Sequence, residues 1–327
     1  MVHHMKWRAY GSLVLTFLLW GSLYVVSKRM LLNLPVFLLA FCRFLIAYLF
    51  LLLISVLRRP GTAGHVPAAG TANASGDTAD GGEAAGPDIR RMTRRYSLLL
   101  GIPGYAVFVG LQLIGTAYAG STTASLINAL NPVTITLMAA LILSECLTYR
   151  KVTGTLLAVC GVYMIVGTAG SVHPAGVICS VASVLGWSLV SVLLRKGLAV
   201  CDPLIVTRNA LGLAAACNLI FAVAEQLFTG GGFDGSSVGP LTVAGVFYMG
   251  ICSTGIAYIL WNKSLAVLPA GTCSAFYPLQ PLTSALLGVL FFKETLPRLF
   301  FPGTLLIAAG ILLCLLSPVS GRRRTTL

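Results

Sequence analysis

Arg43 stands inside an otherwise apolar stretch, eight residues past Pro35. At 1.5 Å per helical residue, that places the side chain about 12 Å below the start of the stretch. A cation at such depth in hydrocarbon is costly and either pairs or lines water. One reading therefore has Arg43 binding a carboxylate or phosphate of a solute; the other has it pairing with helix-end carbonyls or snorkelling to the surface. Asn131-Pro132 and Gln280-Pro281 each set a side-chain amide beside a residue that has no N–H to donate. Each proline frees the carbonyl four residues earlier, that of Asn128 or Tyr277. Polar backbone freed at depth must find a partner or face a watery cavity. Asn128, Asn131, Tyr277 and Gln280 are thus candidate cavity residues, the competing reading being that they bridge neighbouring helices.

Aromatic groups complete the set. Thr16, Trp20, Tyr24 and Ser27 follow one helical face at steps of three and four, as do Ser180, Ser183, Trp187 and Ser191. Trp20, Tyr24 and Trp187 could stack against a substrate ring or cation; they could equally fill core space.

Other chemistries find no carriers. No Asp or Glu falls near the middle of an apolar stretch, and the four histidines (3, 4, 65 and 173) lie outside them. Proton coupling generally needs an intramembrane titratable group, so facilitated diffusion or exchange is expected. There is no glycine-rich phosphate loop for ATP. The nine cysteines form no C-x-x-C pair and read as reduced structural thiols; no cofactor or metal is expected. An integral-membrane lipid enzyme would need a His/Asp or Cys/His constellation at one interface, and none is visible.

The elements that must position these residues follow from composition. With 57% hydrophobic residues, 9% charged and a mean hydropathy of +0.90, the chain cannot cover a soluble surface. Its charges cluster between apolar runs of about 18–23 residues, the length of a helical bilayer span. The expected fold is all-α and integral to the membrane. Ten helices are predicted at 11–31, 35–57, 97–118, 121–143, 151–169, 175–194, 203–228, 241–261, 270–291 and 299–317. Residues 58–95 should form a flexible cytoplasmic loop, because the stretch from Pro60 to Asp88 has few large apolar side chains and cannot offset its ordering entropy.

The net charge of +13 reads as topology rather than nucleic-acid binding. With the N-terminus in the cytoplasm, the inner side collects 16 Lys and Arg residues and the outer side 4. That bias predicts both termini inside and an even number of spans. The expected location is a bacterial plasma membrane, and the expected partners are the lipid bilayer and a small-molecule substrate.

The two halves repeat. An offset of 149 carries Asn131-Pro132 onto Gln280-Pro281, Glu145 onto Glu294, Gly154 onto Gly303 and Gly161 onto Gly310; an offset of 167 carries Trp20 onto Trp187 and Lys28 onto Arg195. Five helices per half is an odd number, so the halves, 1–169 and 170–327, are expected to be inverted. The run Trp20-Gly21-Ser22 with Lys28, and the series Pro132, Glu145, Gly154/Gly161 with its echo Pro281, Glu294, Gly303/Gly310, resembles the EamA-type family of the drug/metabolite transporter superfamily. The likeness covers the chain apart from residues 60–88. It implies a ten-helix carrier of small polar metabolites, commonly an exporter of amino acids or related compounds. An antiporter of organic anions or phosphate esters is the alternative, and would need Arg43, Arg208 and Lys263 in the cavity.

Overall fold

The computed structural model describes residues 2–57, 87–128, 130–166, 173–229, 235, 238–292 and 299–316. Among these there is no strand. Helix α1 (Val2–Met30) is followed by α2 (Val36–Leu57) and α3 (Pro87–Leu99), which runs through a π-helical segment, Leu100–Phe108, into α4 (Val109–Asn128). Then come α5 (Asn131–Leu143), α6 (Tyr149–Val166), α7 (Pro174–Leu198) and α8 (Pro203–Thr229). Helix α9 (Pro240–Tyr248) continues through a second π-helical segment, Met249–Ile256, into α10 (Ala257–Val267). The described chain closes with α11 (Ala270–Ser274), α12 (Leu279–Phe292) and α13 (Phe300–Leu315). Among the described residues, six helices are long and apolar enough to cross a bilayer: Lys6–Ser27, Val36–Leu57, Asp88–Gly115, Pro174–Leu198, Pro203–Phe228 and Pro240–Val267.

Two expectations need correction. The flexible loop was expected to reach residue 95, yet the helix begins at Pro87. Pro87 opens a first turn that holds Asp88, where a fixed φ and a carboxylate both favour a helix start. Met92, Tyr96 and Leu99 then pack on the core while Arg90, Arg91, Arg94 and Arg95 face outward. The four arginines mask this amphipathic turn from a hydropathy reading. Pro132 and Pro281 were expected near mid-helix, producing kinks. Each instead stands within the first three residues of a separate helix, the preceding helices ending at Asn128 and Ser274. A proline in the first turn loses no intrahelical bond, so breaking costs less than bending.

Helix α4 is not straight. The side-chain amides of Gln112 and Asn128 both donate to the Tyr24 hydroxyl, at 3.0 and 2.8 Å. Sixteen residues of straight helix would separate their backbones by about 24 Å. Helix α4 therefore bends between them.

Small residues set the tightest contacts. A Cβ on Gly154 would fall 2.5 Å from the Gly310 carbonyl oxygen, and one on Gly161 2.5 Å from that of Gly303. Helices α6 and α13 thus run antiparallel with their backbones touching. In the same way Gly101 abuts Ala210 and Leu213, Gly250 abuts Arg43 and Ile46, Gly197 abuts Tyr96, and Gly245 abuts Met30. Glu294 and residues 58–86 lie outside the described residues.

The glycine seam yields a direct test. Replacing Gly161 by Leu drives a side chain into the Gly303 backbone, which a flexible neighbour cannot relieve. Overpacking of this kind costs about 1–3 kcal/mol, so the purified variant should melt several degrees lower. Gly11 has nothing within 4 Å of its would-be Cβ; Gly11→Ala should melt with the parent protein.

Candidate functional site

A cavity of about 80 Å³ opens in the middle of the bundle, and the residues around it include Trp20, Tyr24, Arg43, Asn128, Trp187, Tyr277 and Gln280. Seven of the eight residues singled out from sequence therefore meet at one place. The eighth, Asn131, is buried just behind: its amide donates to the Asn128 carbonyl at 2.9 Å and also to the Asn128 side-chain oxygen. Measured against the 10–15 Å³ that one water occupies, the cavity takes roughly half a dozen water-sized groups.

Each break in the chain supplies polar atoms here. The Asn128 carbonyl is met by the Asn131 side chain, and the Tyr277 carbonyl accepts the Gln280 backbone N–H at 2.9 Å. The Asn128 amide reaches across to Tyr24 on α1. On the facing side, the Trp187 indole N–H donates to the Tyr277 hydroxyl, and the Ser188 hydroxyl to Asn131 Oδ1 at 3.4 Å. The polar groups thus both bridge helices and line the cavity; the two readings of them are compatible.

Below the cavity lies an aromatic floor. Trp20 is within 5.5–6.5 Å, centroid to centroid, of Tyr258, Trp261, Tyr277 and Trp187. Phe17 packs beneath, 4.7 Å from Tyr277. Tyr105 stacks on Tyr258 at 4.2 Å with 8° between the rings. The cavity runs from this floor along Leu23, Tyr24, Ser27 and Leu31 toward the end of α1.

Arg43 borders the cavity and is 3% exposed. Its guanidinium lies 4.7 Å from the Phe44 ring centroid, and one terminal nitrogen is 3.5 Å from the Tyr258 hydroxyl. Its Nε has no hydrogen-bond partner among the described residues, and no Asp or Glu lines the cavity. Arg208 is elsewhere, bonded to Ser55 and to Asn209 Oδ1; Lys263 is exposed and does not line the cavity. Sequence reasoning missed Tyr105, Phe108, Gln112 and Tyr258. Gln112, an amide inside an apolar run, carried the same signal as Asn128 and could have been found; the aromatics carried none, because an aromatic in a membrane helix is unremarkable by type.

The far end of the floor is tied by Glu145, just past α5. Its carboxylate takes the Arg195 Nε–H at 3.1 Å and the backbone N–H of Ala270 at 3.0 Å. Arg195 in turn donates to the Leu265 carbonyl at 2.6 Å. One ion pair thus fastens the ends of α5, α7, α10 and α11. The Glu294 echo lies outside the described residues.

The sequence profile of the EamA-like transporter family matches residues 7–167 and 174–316. The uncharacterized transporter YetK of Bacillus subtilis (strain 168) is 25% identical over 309 residues, 93% of this chain and 85% of that protein. The probable terminal-alkyne amino-acid exporter of Streptantibioticus cattleyicolor is 26% identical over 250 residues, 74% of this chain and 80% of its own. A crystal structure with 19% identity superposes with a TM-score of 0.70 over 95% of this chain and 96% of the other, which speaks to fold alone. Apolar helices of spanning length, a polar cavity between them and a profile match over nearly the whole chain make this a multi-pass membrane transporter and not an enzyme: the chain belongs to the EamA-like transporter family.

Proposed function

We propose that this transporter moves a small metabolite bearing a carboxylate, an amino acid or a close relative, outward across the bacterial plasma membrane by alternating access. The observation that carries the reading is Arg43: a buried guanidinium beside the cavity, with no acidic side chain among the described residues that line it. A buried cation is expected to pair, and here the substrate supplies the anion. Trp20 and Trp187 offer ring faces to an ammonium or an aromatic side chain. Tyr24, Asn128, Tyr277 and Gln280 offer hydroxyls and amides to the remaining polar atoms, with Asn131 holding Asn128 in place. The cavity's size suits a solute of amino-acid scale. The relative named as a probable amino-acid exporter agrees with that class. With Arg208 and Lys263 elsewhere, the phosphate-ester alternative loses two of its three cations.

The alternating mechanism rests on the repeat. Reading the broken helices α4/α5 and α11/α12 as single spans, and doubling α4 back at residue 120, gives ten crossings. The contacts are reciprocal under the two sequence offsets. Gly154 meets Gly310 and Gly161 meets Gly303, whereas equivalence in sequence pairs Gly154 with Gly303. Gly101 meets Ala210 and Leu213, while their partners at offsets 149 and 167, Gly250 with Arg43 and Ile46, meet each other. Swapped pairing is what a two-fold axis between halves produces. With α6 and α13 antiparallel, that axis lies in the membrane plane, and the halves 1–169 and 170–327 are inverted repeats. Both termini then lie in the cytoplasm, the cavity faces outward, and the Glu145–Arg195 tie closes the inner side.

Two measurements test this. In liposome counterflow with an amino-acid panel, Arg43→Gln should lower exchange of carboxylate substrates about tenfold or more, the loss expected for one charge-assisted contact. Neutral amide analogues should respond far less, and a pH gradient should make no difference. If no solute exchanges, or if Arg43→Gln exchanges every anion normally, the reading fails. Glu145→Gln should unfasten the inner side, raising labelling of a cysteine placed at Leu265 by a thiol reagent from the cytoplasmic face and slowing net export. Unchanged labelling would remove the tie from the mechanism.

A further inference from the structure

A second concavity lies away from the transport cavity and shares no residue with it. A groove of about 480 Å³ runs between α3 and α8, walled by Arg90, Thr93, Arg94, Ser97 and Leu98 on the first and by Ile205, Asn209 and Leu213 on the second. Arg90 and Arg94 are one helical turn apart and exposed. Thr93 and Ser97 repeat that spacing beside them, with the Ser97 hydroxyl donating to the Thr93 carbonyl at 2.7 Å. Arg208, bonded to Asn209 at the groove wall, adds a third guanidinium nearby. At Gly101 the helices touch, since a Cβ there would fall 2.8 Å from the Ala210 carbonyl oxygen and 2.9 Å from Leu213 Cβ. The groove therefore closes toward the membrane centre and widens toward the charged end of the span Asp88–Gly115.

We infer that this groove binds one anionic glycerophospholipid. Its shape divides as such a lipid does. The arginines stand at the membrane boundary, where a phosphodiester lies, and charge-assisted bonds from guanidinium groups suit phosphate oxygens. From Arg90 to Leu98 the helix rises about 12 Å into the hydrocarbon, and Leu98 and Leu213, near the Gly101 contact, provide an apolar track for the first part of an acyl chain. Leu98 and Ile205 are both 38% exposed, so they face lipid whether or not the groove selects one. A basic recess between spanning helices recognises lipid headgroups by this combination of charge and depth. The inference does not depend on the substrate or on the direction of transport.

Native mass spectrometry of the purified full-length protein tests it, with phosphatidylglycerol and phosphatidylcholine of matched acyl chains as probes. Two basic contacts predict about 10- to 30-fold better retention of phosphatidylglycerol. The Arg90→Gln/Arg94→Gln protein should retain the two lipids about equally, while Arg150→Gln, an exposed arginine on α6, should keep the preference. Leu98→Trp, which fills the apolar end, should lower retention without altering the basic pair. Equal retention by the parent protein, or a preference that survives the double substitution, overturns the proposal. So does displacement of the lipid by millimolar glycerol 3-phosphate, which would make the site one for a free phosphate. If Asp77→Asn/Asp80→Asn/Glu83→Gln greatly raises retention, the preceding acidic segment is the occupant and the proposal again falls.

Discussion

In hydrocarbon each unpaired backbone amide or carbonyl costs several kcal/mol, and no solvent is available to relieve it. The chain nevertheless interrupts two helices in the bundle, between Asn128 and Asn131 and between Ser274 and Leu279. At the first break, Leu130 donates to the Ile127 carbonyl and the Asn131 side chain to that of Asn128. At the second, Tyr277 donates to Ser274, Leu279 to Phe276 and Gln280 to Tyr277, three tight turns in succession. Each break satisfies its own backbone and leaves amide and phenol side chains facing inward.

The halves that meet there follow one plan but differ in composition. At an offset of 149, Tyr277 corresponds to Asn128, Tyr258 to Val109 and Trp261 to Gln112. The second half thus places three aromatics where the first places Val109 and the two amides that hold Tyr24. Arg43 has Ala210 as its counterpart, so the buried charge is one-sided. The cavity thus has distinct polar, charged and aromatic walls, and under the proposed repeat that asymmetry suits an asymmetric solute.

The two π-helical segments, Leu100–Phe108 and Met249–Ile256, occupy equivalent places in the halves. Gly101 and Gly250, near the start of each, lie against α8 and α2 respectively. A wider helical turn changes the direction in which the following residues point, and it is just past these segments that Gln112 and Tyr258 reach the cavity. Close glycine contacts on one side and cavity residues on the other make these segments the supports of the site.

Much of this was legible in the residues. Composition determined that the helices cross a membrane, since sparse, clustered charge admits no aqueous surface. Residue types at depth, Arg43 and the amides near Pro132 and Pro281, located part of the cavity lining, because a polar group in hydrocarbon is costly enough to need a reason. Offsets of 149 and 167 gave the residue correspondences on which the proposed repeat rests. Only the tertiary structure decided that the prolines break their helices, that the arginine-rich turn from Pro87 is helical, and that Tyr105 and Tyr258 stack beneath the cavity. Only it showed Glu145 fastening four helix ends. Those outcomes depend on which distant groups arrive to satisfy a freed carbonyl, cover an apolar face or meet a ring, and a linear pattern records the need for a partner without naming it.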